Sequence, residues 1–202
     1  MSSEQTPRMP PLILASTSRY RAELLARLGL PFSTAAPDID EAALPGESAR
    51  DLVTRLSLAK AQAVADRLSR AALVIGSDQV AVIDTDILGK PGTEAKARAQ
   101  LTRLSGREVC FLTGLCLLNT ATGAHQERVV ETPVRFRVLS ETAIADYVHR
   151  EQPLDCAGAF RSEGLGIALF EGIGGFDPNA LIGLPLIELC SLLADQGVAV
   201  LG

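Results

Sequence analysis

Apolar residues are grouped along the chain with two different periods, and the switching between them sketches the fold. "LILAS" (12–16) is an unbroken apolar run of strand length. Over 19–28 the pattern becomes helical, with Leu24, Leu25 and Leu28 on one face and Gly29 placed to stop the helix. A second strand, "PFSTAA" (31–36), ends in an acidic turn, "PDIDE" (37–41). The clearest helix covers 48–69, where Leu52, Leu56, Ala59 and Ala63 recur at spacings of four, three and four beside Val53 and Val64. A strand over 72–77 runs on through "DQVAVID"; a turn at 88–92 then leads into a helix near 93–105 that Gly106 ends. A β-rich stretch follows, with a strand over 108–119, a turn at "TATG" and a long strand over 126–139. Within it "PVRFRVL" alternates apolar and charged side chains, as a half-exposed strand does. Ser140 is placed to cap a helix from Glu141 to His149. The Gly-rich stretch 156–176 holds a short strand, "GIALFEG", and 183–197 is an amphipathic helix running up to Gly197. Strand–helix–strand units combined with a hairpin-like run predict an α/β fold: a mixed, partly antiparallel twisted sheet flanked by helices.

Composition narrows the class. A chain of 202 residues with 47% hydrophobic and 21% charged residues is an ordinary globular protein, expected as a single domain over 12–202. Residues 1–11 lack the apolar core of a signal peptide and are read as a disordered leader. The longest apolar runs, "ALVIG" and "LCLL", are far too short to span a bilayer, so no membrane partner is expected and the cytoplasm is the expected compartment. A net charge of -5 provides no general field for a nucleic acid polymer, so any phosphate must be met by local positive charge. The four cysteines (Cys110, Cys116, Cys156, Cys190) form no CxxC pair and read as packing. His125 and His149 lie far apart and suggest no triad. A homodimer is left open.

Five stretches carry candidate chemistry. In "ASTSRYR" (15–21) a strand becomes a helix, and a helix start offers unpaired N–H groups and partial positive charge to an anion. Ser16 adds a small hydroxyl and Arg21 a forked cation; the plainer reading is that Ser18 caps the helix and the arginines are solvated. In "PDIDE", Asp38, Asp40 and Glu41 form either a solvated acidic loop or a place for a hard divalent ion. Lys60 projects into the middle of the apolar arc of its helix, where a lysine either snorkels outward or points into a cleft. Asp78 interrupts an apolar strand run and requires a metal, a cation or a water as partner. Lys90, in "GKP", sits in a turn suited to a phosphate chain or simply to solvent. Two carboxylates, several cations and an anion-binding helix start, without a Cys, His or Lys nucleophile and its base, point to metal-assisted attack by water on a phosphate ester or anhydride.

The ordered series "LILASTSRYRAELLARLGLPF", "PDIDE", "LAKAQAVA", "IGSDQV", "GKP", "LSGREV", "TGL", "CAGAF", "SEGLG" and "GLPLIEL" resembles the Maf family of nucleoside triphosphate pyrophosphatases, from Leu12 to Leu193. The resemblance implies a Maf/ITPase-like fold with a cleft between two lobes. It also implies hydrolysis of a nucleoside triphosphate to the monophosphate and pyrophosphate with a divalent metal, magnesium or manganese. By motif, Asp78 matches the acceptor of the water proton, and Glu41, Lys60 and Lys90 match the conserved polar site. Glu41 and Asp78 are the implied metal ligands, and Ser16 and Arg21 match the phosphate-binding start. Tyr20, Gln79 and Glu163 resemble the branch associated with 7-methyl-GTP, a house-cleaning activity on modified nucleotides, more than the branch that prefers dTTP and UTP. An aromatic at 20 suits stacking on a methylated purine, and a carboxylate at 163 suits its N–H groups and charge. Arg19 stands where the family usually has proline, and Tyr20 where the branch commonly has tryptophan. The competing expectation is a non-catalytic nucleotide-binding regulator of cell division.

Overall fold

The computed structural model describes residues 9–201. Of the expected leader, residues 1–8 lie outside the described residues; Met9 packs against the core, and Pro11 O accepts from Leu73 N at 2.8 Å.

Among the described residues, seven strands form one mixed sheet. The central strand, β3 (Leu73–Ile83), is flanked on one edge by β5 (Glu108–Asn119), antiparallel along nearly its whole length. The other edge is shared. β1 (Leu12–Ala15) runs parallel to its first residues, and β4 (Asp86–Leu88) folds back antiparallel onto its last. β2 (Phe32–Ala35) extends the sheet beside β1, and β6 (His125–Phe136) and β7 (Phe170–Ile173) extend it beyond β5. The β3–β4 hairpin, absent from the expected elements, turns at Asp84, whose φ of 56° a short polar side chain tolerates.

Five helices among the described residues cover the sheet: α1 (Arg19–Ala26), α2 (Ala49–Ala65), α3 (Glu94–Leu104), α4 (Glu141–Glu151) and α5 (Leu186–Asp195). The first four start at hydroxyl caps (Ser18, Ser48, Thr93 and Ser140), each of which accepts a backbone N–H of the first turn. α5 begins later than expected, because Asp177 receives Ile187 N at 2.7 Å and Gly183 adopts a φ of 121°. The expected strand "GIALFEG" is instead a 3-10 turn (Leu165–Leu169) followed by β7. A Cβ at Gly166 would stand 2.2 Å from Arg161 O, so this backbone folds onto its neighbour rather than extending.

The side chains of β3 alternate between two faces. On one face α2 approaches to backbone contact: a Cβ at Gly76 would lie 1.9 Å from Ser57 O, and one at Gly114 2.3 Å from Val53 O. On the opposite face two apolar cores are separate. One gathers β1, α1 and α5 around Leu73 and Ile75; the other gathers α3, α4 and the ring cluster Phe111, Phe136, Phe160 and Phe170 around Ala81 and Ile83. Between them lies a polar band of Ser77, Gln79 and Thr113. These side chains hold a short turn: Ser77 Oγ is 2.9 Å from Gly183 O, Thr113 Oγ1 2.9 Å from Ala180 O, and Gln79 Nε2 donates to Ala180 O and Leu181 O at 2.9 and 3.0 Å. The molecule therefore has two lobes on a shared sheet, with a cleft between them.

Candidate active site

The cleft originates in the strand pairing. β1 leaves the edge of β3 after Ile75, and β4 joins it only at Ala81, so residues 76–80 have sheet on one side alone. The open edge lies beyond the carboxyl end of β1, the usual place for a ligand in an α/β sheet. A cavity of about 1160 Å³ occupies it. Nine residues marked by the motifs line this one cleft: Ser16, Tyr20, Arg21, Glu41, Lys60, Asp78, Gln79, Lys90 and Glu163. Of the acidic turn only Glu41 does so, while Asp38 pairs with Arg67 and Asp40 accepts Ala42 N.

At its floor Asp78 and Lys60 are both buried, and Lys60 Nζ donates to Asp78 Oδ1 at 2.6 Å. Lys60 is thus a lysine pointing into a cleft, and of the metal, cation or water expected beside Asp78 it supplies the cation. Its ammonium also reaches Glu41 Oε1 at 2.8 Å, across from the loop that follows β2. The close approach of α2 to β3 at Gly76 sets this reach, since Lys60 lies one turn beyond Ser57. Partial burial opposes ionisation of Glu41. The Lys60 hydrogen bond and the charges of Lys60, Lys90 and Arg21 outweigh it and hold the carboxyl below its ordinary range. Among the described residues, Asp78 Oδ2 and Glu41 Oε2 have no partner.

One wall is the β1–α1 turn. Ser18 N donates to Ser16 Oγ at 3.1 Å, and Ser18 Oγ caps α1 by accepting Arg21 N. The capping function and the exposed helix start therefore coexist in one turn. Arg21 Nε donates to Gly183 O at 2.8 Å, which aims the guanidinium at the carboxylates. Desolvation lowers its pKa, against the opposing charges of Asp78 and Glu41. Lys90 is exposed at the opposite lip.

Tyr20 is held across the cleft. Arg161 Nη1 donates to its hydroxyl at 2.6 Å, and the Arg19 guanidinium lies 4.8 Å from the ring centroid. Arg161 also donates from Nη2 to Glu151 O and pairs with the Glu151 carboxylate, which in turn accepts Leu165 N. Burial disfavours the cationic form of Arg161, but the Tyr20 hydrogen bond and the Glu151 charge prevail and raise its pKa. Neither Arg161 nor Glu151 stands out in the sequence: Arg161 lies in the Gly-rich segment, which gives no periodicity against which a charge looks misplaced, and Glu151 ends α4, where a glutamate reads as solvated. Arg19 likewise acquires a place, over Tyr20. Cys156 also lines the cleft, but burial and then Asp155 push its thiol up to about 12, far from a thiolate nucleophile.

Among the described residues no three His, Cys, Asp or Glu side chains converge into a complete metal cage. No helix among them is long and apolar enough to cross a membrane. Comparison with known proteins agrees with the motif series. The "7-methyl-GTP pyrophosphatase" of Nitrosococcus oceani is 57% identical over 97% of this chain and 98% of its own. That of Pseudomonas aeruginosa is 55% identical over 95% of this chain and 100% of its own. A solved nucleoside-triphosphatase / dITP/XTP pyrophosphatase of Mycobacterium abscessus aligns with a TM-score of 0.47 and 14% identity, covering 93% and 94% of the two chains. Residues 11–196 match the family described as "Maf-like protein", and the chain belongs to that family.

Proposed function

We propose that this cleft hydrolyses a nucleoside triphosphate to its monophosphate and pyrophosphate, with 7-methyl-GTP as the preferred substrate. The observation that carries the reading is the Glu41–Lys60–Asp78 cluster: two carboxylates sharing one buried ammonium, with Arg21, Ser16 and Lys90 around them in the same cleft. The close relatives' activity supports the reaction class.

Water adds across the bond between the α and β phosphates; its oxygen bonds to phosphorus, the bridging P–O bond breaks and pyrophosphate leaves. Asp78 accepts the water proton at Oδ2, the oxygen that Lys60 does not engage. Lys60, bonded to Oδ1, fixes the direction of that carboxylate. Arg21, Lys90 and the start of α1 bind the phosphate chain, for which a protein of net charge -5 has no general attraction.

The donor set also fits a divalent cation. Glu41 Oε2 and the lone pair of Asp78 Oδ2 not used for the water proton are hard ligands, and magnesium or manganese typically takes one or two carboxylates together with waters and substrate phosphates rather than a full protein cage. When bound, such an ion neutralises phosphate charge and makes a water more acidic.

For the base, Tyr20 supplies an aromatic surface and Glu163, exposed on the opposite lobe, a carboxylate for purine N–H groups. Arg19 covers the Tyr20 ring in the free protein. An exposed cation–π contact is worth about 0.5–1 kcal/mol, so an incoming methylated purine can displace it. Gln79 contributes by holding the 180–183 turn, and with it Gly183 and Arg21. Pyrophosphate release measured over a panel of normal and methylated nucleotides tests the reading. Release from 7-methyl-GTP that is no faster than from GTP would end the substrate assignment, and no release from any nucleotide would end the whole proposal.

A further inference from the structure

Glu41 occupies an unlikely platform for a precisely directed carboxylate. Between β2 and α2 the chain has no regular structure, and residues 41–46 are all exposed. A site group must be held within about 0.5 Å of its working geometry, which an unsupported loop does not do. The support comes from three cations, two on α2 and one in the turn just after it. Arg67 binds Ala36 O and Asp38 at the loop's beginning, and Lys60 binds Glu41 itself. Arg55 binds its far end: Nε donates to Glu47 Oε1 at 2.6 Å, and Nη2 donates to Glu47 Oε2 at 2.8 Å and to Ala42 O at 3.0 Å. Glu47 Oε2 also accepts Leu44 N at 2.9 Å. The Glu47 side chain is only 7% exposed, unlike its neighbours in the loop.

We propose that Arg55 and Glu47 are positioning residues: their bidentate pair clips residues 42–47 into a closed turn and so sets Glu41, the residue before the clip, against Lys60. The inference rests on the role given to Glu41 above. The fork is essential, because one planar guanidinium engages two carboxylate oxygens and a carbonyl at once, which a lysine cannot do. The pair's contribution to global stability is small, since the Arg55 side chain is 33% exposed and such pairs are worth little. Its effect is local order.

Hydrogen exchange and pyrophosphate release test this together. Arg55→Ala and Glu47→Gln are expected to speed exchange of the amides at 42–47 by about tenfold or more while those of β3 and α3 keep their rates. Turnover is expected to fall roughly tenfold in Arg55→Ala and also in Arg55→Lys. In a Glu41→Ala background, Arg55→Ala is expected to change turnover less than about twofold, because the residue it positions is gone. A full loss in that background, or no loss in the parent, overturns the positioning role. If Glu41→Ala itself keeps parental turnover, the assignment of Glu41 fails and the clip falls with it. Glu47→Gln preserves side-chain shape and carries the same comparison should Arg55→Ala not fold.

Discussion

Replacing Lys60 with methionine tests the electrostatics of the cleft floor without regard to substrate. The change keeps the length and apolar stem of the side chain and removes the ammonium. Asp78 is then left 6% exposed, without the 2.6 Å bond that compensates its charge. Breaking a buried pair by removing one partner costs about 3–5 kcal/mol. Two features place this site at the lower end of that range. Arg21 is close enough to interact with Asp78, and Glu41, the second partner, is 45% exposed and screened by solvent. The expected loss is therefore about 3 kcal/mol, roughly a hundredfold in the folded-to-unfolded ratio, or a Tm lowered by about 6–12 °C in a domain of this size. Urea unfolding measures it, with the slope unchanged if only stability has moved. Adding Asp78→Asn to Lys60→Met removes the orphaned charge and is expected to recover about 2 kcal/mol, although it abolishes turnover. A single substitution costing under about 1 kcal/mol, or a double variant no more stable than the single, would refute the picture of a buried, mutually dependent pair.

Further expectations follow from the walls of the cleft. Glu163→Gln is expected to reduce preference for the methylated purine while leaving turnover on poor substrates nearly unchanged; a substrate panel with the parental ranking would contradict this. Gly183 has a φ of 121° and its carbonyl receives both Arg21 and Ser77, so Gly183→Ala is expected to cost about 1–3 kcal/mol and to lower kcat/KM about tenfold or more. Unchanged kinetics would show that the Arg21 contact is incidental. The Arg55 hydrogen bond, with Leu44 N, lowers the Glu47 carboxyl to about 2. A depressed carboxyl stabilises the folded state above its unfolded pKa, and that contribution fades as pH falls from the ordinary glutamate range towards 2. Acid unfolding of the parent should show this slope and Glu47→Gln should lack it; identical profiles would contradict the assignment.

Much of the site is legible in the sequence because its key residues violate their surroundings. Lys60 interrupts the apolar arc of α2 and Asp78 the apolar run of β3, and each proves to be the reason for the other. Helix limits are legible where hydroxyl caps and stop glycines mark them, as at Ser140 and Gly106. Backbone groups are not. Gly183 O directs Arg21, yet its position depends on a turn held by Gln79 and Thr113 from across the sheet. Arg161 and Glu151 escape notice for a related reason, since an arginine among glycines and a glutamate at a helix end look solvated until the fold joins them. The 3-10 turn at 165–169 replaces an expected strand because apolar alternation is silent about the close backbone approach at Gly166.

The account stands most directly on pyrophosphate release from 7-methyl-GTP by the parent protein and by Asp78→Asn, assayed with magnesium or manganese. It predicts that the parent releases pyrophosphate faster from 7-methyl-GTP than from GTP, dTTP or UTP, and that Asp78→Asn, though folded, loses about a hundredfold or more of that rate. An undiminished rate in Asp78→Asn would contradict the role of the buried carboxylate, and with it the chemistry assigned to the cleft.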